Sequence, residues 1–598
     1  MTSKVYPELS TAAANLTFTN DGVSQDTFWH VAESFIKGVV PLADAGGGVA
    51  IRTRRGRLIP YSTVTSDTAA FVTALRSIAD YEVLISGVSL NVLVLEAGPD
   101  KTSDPQLQNP ALWHALCGTD LDWQFKTVSQ TGLNNCEQDL PAGKVLGGSS
   151  AINGAAFLPP SPAGIDTWSR LGNSKWSWKD LLPYLRQTFT LTTPRGIPLS
   201  EVGLNEHVHT GAGGPIQVTY PALAEKANHP LIRAWNKVFQ EKGYGFQPDL
   251  ILEGSTVGAR PHTATVDPES GLRSSADIEY RVLKKKYRPN LHIVTGVTVD
   301  RIILSNDAES NEVLATGVQV RLADGKLTEI KATNEVILAA GAFQTPKLLE
   351  LSGIGSKAVL ARYGITPIID NPGVGENLQN HSMYVQPVGL KPQEDTVTAG
   401  LQALAFVRTG EEAHLAARYL SPTDPEKVIC DNILRNSEEA SANFFEHQAS
   451  QQRRPPGLDS VLSLVQSKPE VDPRFYSNPV DIELMARHLQ SLFQVAASPT
   501  LQPFLDCTAV QVPEDLEAAK ALLRASALTT HHSCGTAAML PREQGGVVDQ
   551  DLKVYGTKNL RVVDASVFPL IPYGNPMATV YAVAERAADL IQSTVDKK

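Results

Sequence analysis

The sequence has few cysteines for its length. There are five among 598 residues, at Cys117, Cys136, Cys430, Cys507 and Cys534. The number is odd and no Cys-x-x-Cys pair occurs, which argues against a disulfide framework or a cysteine-based zinc site. No apolar run approaches the roughly 18 residues of a membrane span, so no membrane partner is expected. A basic excess is missing too. The net charge is −11, which argues against a nucleic-acid partner. Residues Met1 to Glu8 are polar and lack the apolar stretch of a secretory signal, so the expectation is cytoplasmic, with secretion as the alternative. Forty-four Gly and 39 Pro fall at no fixed period, which excludes collagen-like and solenoid chains. What remains is an ordinary globular composition, 42% hydrophobic and 19% charged. The chain is long enough for more than one domain and a large core.

Along the chain, the spacing of Phe71, Leu75 and Ile78 predicts a helix over 67–80. Residues 81–87 read as a short buried strand, and 91–98 as a second apolar run that ends in an acid. Two parallel strands need a crossover of a dozen or more residues, yet only Val88 to Leu90 lie between these two. Gly46 to Gly48 reads as a flexible turn. Pro41 and Asp44 precede it and four arginines follow, without the strand–turn–helix pattern of a dinucleotide loop. Ser177 reads as the N-cap of a helix reaching Thr188, with Asp180 in its first turn. Strands are expected at 290–295, 297–304 and 335–341, and helices at 346–352 and 581–591.

Four segments carry chemistry. Gly143 to Phe157 offers bare backbone N–H groups at Gly147 and Gly148, suited either to close approach of a phosphate or flat ring or to plain helix packing. Gly341 to Gly355 is a strand end, a turn and a helix. His531 to Thr536 pairs two histidines with Cys534. Adjacent residues on a strand point to opposite faces, so the histidines do not chelate one ion, and Cys534 reads as a packing residue. Asp564 to Pro569 and Asn575 to Val580 lead into a final helix.

Taken together these segments resemble the glucose–methanol–choline (GMC) flavoprotein oxidoreductases. Further landmarks are Val94–Gly98, Gly271–Ala276, Pro372–His381, Gly545–Asp549 and Asn559–Asp564. The resemblance implies an α/β chain. An FAD-binding, Rossmann-like dinucleotide domain would comprise 81–160, 255–385 and 530–598. It would interleave with an α+β substrate-binding domain with an antiparallel sheet, from 161–254 and 386–529, and residues 1–80 would be an unassigned extension. The implied cofactor is FAD. Glu96 would hold the adenosine ribose hydroxyls. Gly148, Asn153, Gly154, Ala155 and Ala156 would lie along the flavin and pyrophosphate, and Val299 would touch adenine. Asp564 and Ala565 would turn near the pyrophosphate, and Asn575, Pro576 and Met577 would open the helix beneath the flavin ring.

The resemblance also implies that His532 takes the hydroxyl proton of a small-molecule alcohol while Asn575 holds the same oxygen. The alternative for His532 is a structural histidine in a packed turn. The expected product is an aldehyde or ketone, formed as the substrate carbon passes a hydride to flavin N5. The tryptophan-rich stretch after residue 160 leans toward an aromatic or aliphatic alcohol over a sugar. Two departures stand against the family pattern. The Gly-x-Gly-x-x-Gly loop and its helix are missing before residue 91, and a strand is missing near 460–470. These departures leave a flavin-free cyclase or lyase, or an inactive remnant, as alternatives.

Overall fold

The computed structural model describes residues 91–193, 213–221, 230–244, 258–280, 290–391, 403–407 and 467–595, less a few loop positions, together with the strand backbones 36–41, 49–53, 58–60, 71–76 and 451–453. It divides into two compact units, 1–70 and 71–598. In the first, Ile36–Pro41, Val49–Thr53 and Leu58–Pro60 form an antiparallel meander.

The second unit is built on a five-stranded sheet: β1 (Phe71–Arg76), β2 (Asn91–Glu96), β3 (Leu291–Thr295), β4 (Val336–Ala339) and β5 (Leu560–Val562). Their spatial order is β3-β2-β1-β4-β5, and every neighbour pair is parallel. This is the doubly wound pattern of an α/β dinucleotide fold. It also corrects the helix expected over 67–80, because Phe71–Arg76 is the middle strand, paired from Phe71↔Asn91 to Arg76↔Glu96. Apolar spacing over so short a run does not separate a strand from a helix. The crossover problem goes with it. Between β1 and β2 lie the fourteen residues 77–90, enough for a parallel connection. The strand expected at 81–87 and the missing glycine loop fall outside the described residues, as do Gly46 to Gly48 and the gap near 460.

The sheet is held by apolar burial and by one ion pair. Val92, Val94, Leu95 and Val336 to Ala339 are buried, each large side chain contributing about 1.5–3 kcal/mol. Arg561 on β5 and Glu335, just before β4, form a bidentate pair at 2.6 and 3.2 Å, with both side chains out of solvent.

The helix expected at 346–352 instead spans Gly341–Leu351. Its first turn is anchored from a distant segment. The Asp564 carboxylate accepts from Gly341 N–H at 2.9 Å and from Thr345 Oγ1 at 2.6 Å. Pro346 lies inside this helix and has no N–H to offer Ala342 O; Thr536 Oγ1 donates to that carbonyl instead, at 2.6 Å. Both compensations come from residues some 200 positions away, so local signals place the start too late.

The helix Trp178–Thr188 opens as expected, with Asp180 accepting from the Ser177 N–H and hydroxyl. It packs on the last helix, Met577–Val595. Trp168 and Trp176 are buried and donate to the carbonyls of Leu570 and Gln550. They are spent on packing against the C-terminal segment, so they say nothing of the substrate. Next to the main sheet, Thr298–Asn306, Val313–Arg321 and Leu327–Lys331 form an antiparallel meander. Farther along, Gly258–Pro261 pairs with Ala403–Phe406, and the helices Pro479–Ala496 and Leu516–Ser526 share one core. Among the described residues, no helix is long and apolar enough to cross a membrane, and no cluster of His, Cys, Asp and Glu is placed to hold a metal.

Candidate active site

The sequence-predicted residues fall into two groups. The first surrounds the end of β2. Glu96 is its last residue and is fully buried. Its Oε1 accepts from Gly98 N–H at 2.6 Å, which turns the chain away and fixes the carboxylate at the strand's carboxyl end. Beside it is a cavity of about 380 Å³ bordered by Leu95, Ala97, Trp123, Lys144, Val299 and Ala340. Ligands of open α/β sheets bind outside the carboxyl ends of the strands, and a slot of mixed polar and apolar lining next to a fixed acid suits an adenosine. Val299, the residue expected at adenine, lines this slot.

The second group gathers around His532. Two loops converge there, because Gln379 and Cys534 exchange both backbone hydrogen bonds at 3.0 Å. Asn380 ties the junction: its Oδ1 accepts from His532 N–H at 2.9 Å, and its Nδ2 donates to Thr529 Oγ1 at 2.7 Å. His531 has φ +65°, a left-handed conformation that costs energy for a non-glycine residue and is a feature of constrained functional turns. The imidazole of His532 meets two partners. Its Nδ1 lies 2.9 Å from His381 Nδ1, and its Nε2 lies 2.9 Å from Asn575 Nδ2. An amide NH₂ only donates. Nε2 is then the acceptor, the ring proton sits on Nδ1, and His381 Nδ1 accepts it. The contacts leave His532 as a neutral base whose lone pair faces Asn575. Burial, followed by the charges of His381 and His531, holds its pKa well below the ordinary 6.5.

Gly148 opens a short turn to Ala151 with φ +53°. The two glycines nearby serve the protein's own packing. A Cβ on Gly143 would come 2.3 Å from the Gly148 backbone, and one on Gly147, at φ +100°, 2.4 Å from Asp277 Oδ1. Asn153 Oδ1 accepts from the buried Arg273 at 2.9 Å and from Ala155 N–H at 2.9 Å. Its Nδ2 lies 3.3 Å from Met577 Sδ, joining the stretch 153–156 to the start of the last helix. Gly154 faces the Trp113 ring, and Ala156 bridges Ala264. Pro576 directly precedes that helix, and Ala565 opens a turn to Val567. Asp564 is buried, with both oxygens engaged inside the protein: Oδ2 by Gly341 and Thr345, Oδ1 by Ser566 N–H at 2.7 Å.

Two buried hydroxyls beside these turns, Ser566 Oγ and Thr579 Oγ1, have no partner among the described residues. Such groups are costly unless a ligand or water meets them. Together with the slot beside Glu96, they fit a long dinucleotide laid from β2 to the last helix. His381 and Asn380 are the residues that sequence reasoning missed. Both stand at the end of the Pro372–His381 landmark, and their chemistry shows only once that loop is paired with 529–534.

Family models described as GMC oxidoreductase match residues 46–383 and 458–584. The first match opens inside the stretch that the sequence landmarks left unassigned. A GMC oxidoreductase family protein of Malassezia sympodialis, Mala s 12, is 30% identical over 90% of this chain and 93% of its own. Among solved structures, an FAD-dependent oxidoreductase from Chaetomium thermophilum superposes with TM-score 0.74 at 25% identity, over 88% of this chain and 100% of that one. A fungal aryl-alcohol oxidase superposes with TM-score 0.71 at 27% identity, over 89% and 100%. The chain belongs to the GMC oxidoreductase family, as an FAD-dependent oxidoreductase acting on CH–OH donors.

Proposed function

We propose that the protein oxidises a small-molecule alcohol to an aldehyde or ketone, with His532 as the base. The observation that carries this reading is the contact of His532 Nε2 with Asn575 at 2.9 Å. A hydroxyl oxygen seated beside this pair, in reach of both atoms, would displace the amide from Nε2, donate its own proton there and accept from the amide, so the carbinol oxygen is held at two points. Bound FAD supplies the two-electron oxidant, with flavin N5 as the hydride acceptor. His381 accepts the Nδ1 proton and keeps the lone pair on Nε2 directed at the substrate. The buried, neutral state of His532 keeps it ready to take a proton. Glu96 and the slot beside it would hold the adenosine, and 153–156 with Met577 would hold the flavin end. The same reading divides the chain into an FAD-binding part, 81–160, 255–385 and 530–598, to which β1 is added, and a substrate-binding part, 161–254 and 386–529.

The test is His532→Ala in the FAD-loaded protein. The anaerobic rate of flavin reduction by an alcohol is expected to fall about 10²–10⁴-fold with FAD content unchanged. A variant that reduces flavin at the wild-type rate would end the assignment.

A further inference from the structure

A second polar feature lies on the wall beside the reacting pair. Gly258–Pro261 pairs antiparallel with Ala403–Phe406, Gly258 opposite Phe406 and Arg260 opposite Leu404. Opposed residues share a face, and the face repeats every second residue. Arg260 and Phe406 therefore lie on one face, and His262, just past the strand end, continues the alternation. The side chains agree with this placement. The Arg260 guanidinium carbon is 5.3 Å from the centre of the Phe406 ring, and that ring is 4.0 Å from Tyr573. Tyr573 stands two residues before Asn575. A Cβ on Gly574 would lie 3.1 Å from Leu158 Cδ1 and 3.7 Å from Phe406 Cζ. Arg260, Phe406 and Tyr573 thus follow one another in contact, and Phe406 also reaches Gly574, the residue before Asn575, so the run is cationic at one end and leads to the reacting pair at the other.

His262 is 2% exposed. Neither of its ring nitrogens meets a donor or acceptor among the described residues. A neutral imidazole has one N–H and one lone pair, and leaving both unmet in a buried site costs free energy. Arg260 is 4% exposed, a buried cation on the same face. Burial, with the Arg260 charge second, brings the His262 pKa down to about 4, so the ring is neutral at neutral pH and offers a single N–H. A guanidinium fork and one imidazole N–H together match the oxygens of a carboxylate.

We propose that Arg260 and His262 form the far end of the substrate pocket and recognise a carboxylate on the alcohol being oxidised. This rests on the alcohol-oxidase reading above and narrows its substrate class. The substrate would place its CH–OH at His532 and Asn575, an apolar spacer along Phe406 and Tyr573, and its carboxylate at Arg260.

The experiment compares 4-(hydroxymethyl)benzoate with 4-(hydroxymethyl)benzamide, and ω-hydroxyalkanoates of rising length with their amides, on the FAD-loaded enzyme. Benzoate is titrated separately while the flavin spectrum is followed. The wild type is expected to favour acid over amide at least tenfold in kcat/KM in one series. In Arg260→Gln that ratio should fall to near one, and Arg260→Lys should restore part of it. Benzoate should perturb the wild-type spectrum and not that of Arg260→Gln. If Arg260→Gln does not fold, His262→Leu carries the same comparison, with a smaller fall in the ratio. Alcohols oxidised with no preference for the acid, or a ratio untouched by both substitutions, overturn the proposal while leaving the oxidase reading intact. Arg260-dependent benzoate binding without turnover of any alcohol does the reverse.

Discussion

The two ends of the proposed FAD site are built in different ways. At the catalytic end, function sits on residue types that can do little else together. His532 is gripped by His381 and Asn575, and the loop beneath it is tied by Asn380 and by the paired backbone of Gln379 and Cys534. At the adenosine end, function rests on one carboxylate and a slot of mixed polar and apolar side chains beside a generic parallel sheet. The first end is over-determined by hydrogen bonds. The second depends on where a strand lies. Damage at the catalytic end should therefore stop chemistry and spare binding, and damage at the sheet should loosen the fold or the cofactor and spare the chemistry of what remains loaded.

The largest effect on the sheet side should come from its buried ion pair. Arg561→Met leaves Glu335 buried without its cation, an expected cost of about 3–5 kcal/mol. Chemical denaturation should show this as a shifted midpoint with an unchanged slope. An unshifted midpoint would mean that β4 and β5 do not depend on the pair.

Acid should act next. The unfolded chain protonates His262 below its ordinary 6.5, while the folded protein resists until about 4. Stability from this residue is thus complete above pH 6.5 and declines as pH falls toward 4, by roughly 3 kcal/mol. His488, also held to about 4 by burial, acts in the same direction. Denaturation midpoints measured between pH 7 and 4 should fall steadily, and His262→Phe should flatten the slope. A midpoint independent of pH across that window would contradict the burial of both rings.

A smaller effect should separate the two ends most cleanly. Glu96→Ala should weaken FAD binding by about 10–100-fold, the worth of hydrogen bonds to a charged group. The fraction that stays loaded should reduce its flavin at the wild-type rate. Asn575→Ala should do the opposite: FAD binding holds, and kcat falls about tenfold to a hundredfold through loss of one positioning hydrogen bond. Parallel changes in both variants would dissolve the distinction between the ends.

The same contrast explains what was legible in the sequence. The family landmarks could be read as motifs, and the resemblance they carry pointed to the acid at Glu96 and to His532 with Asn575, each a fixed offset from a motif residue. The helix of 177–188 was legible for a related reason: a capping box is local. Phe71–Arg76 was not, because over so short a run apolar spacing fits a helix and a strand alike, and its identity comes from the parallel partners on either side. The start of the helix at Gly341 was missed for a different cause. Pro346 marks a helix start in local terms, and only Asp564 and Thr536, brought in by the fold, allow one to begin five residues earlier. His381 was hidden in the same way, as a loop residue whose function is created by the loop it pairs with.

The most direct test of the central claim is anaerobic mixing of the FAD-loaded protein with an alcohol and with the same alcohol deuterated at the carbinol carbon, followed by flavin absorbance. If His532 and Asn575 hold the hydroxyl for hydride transfer, the flavin bleaches in a single turnover, and bleaching is slower with deuterium. A protein that carries FAD yet shows no bleaching with any alcohol, or bleaches at one rate with both isotopes in a step limited by chemistry, would contradict it.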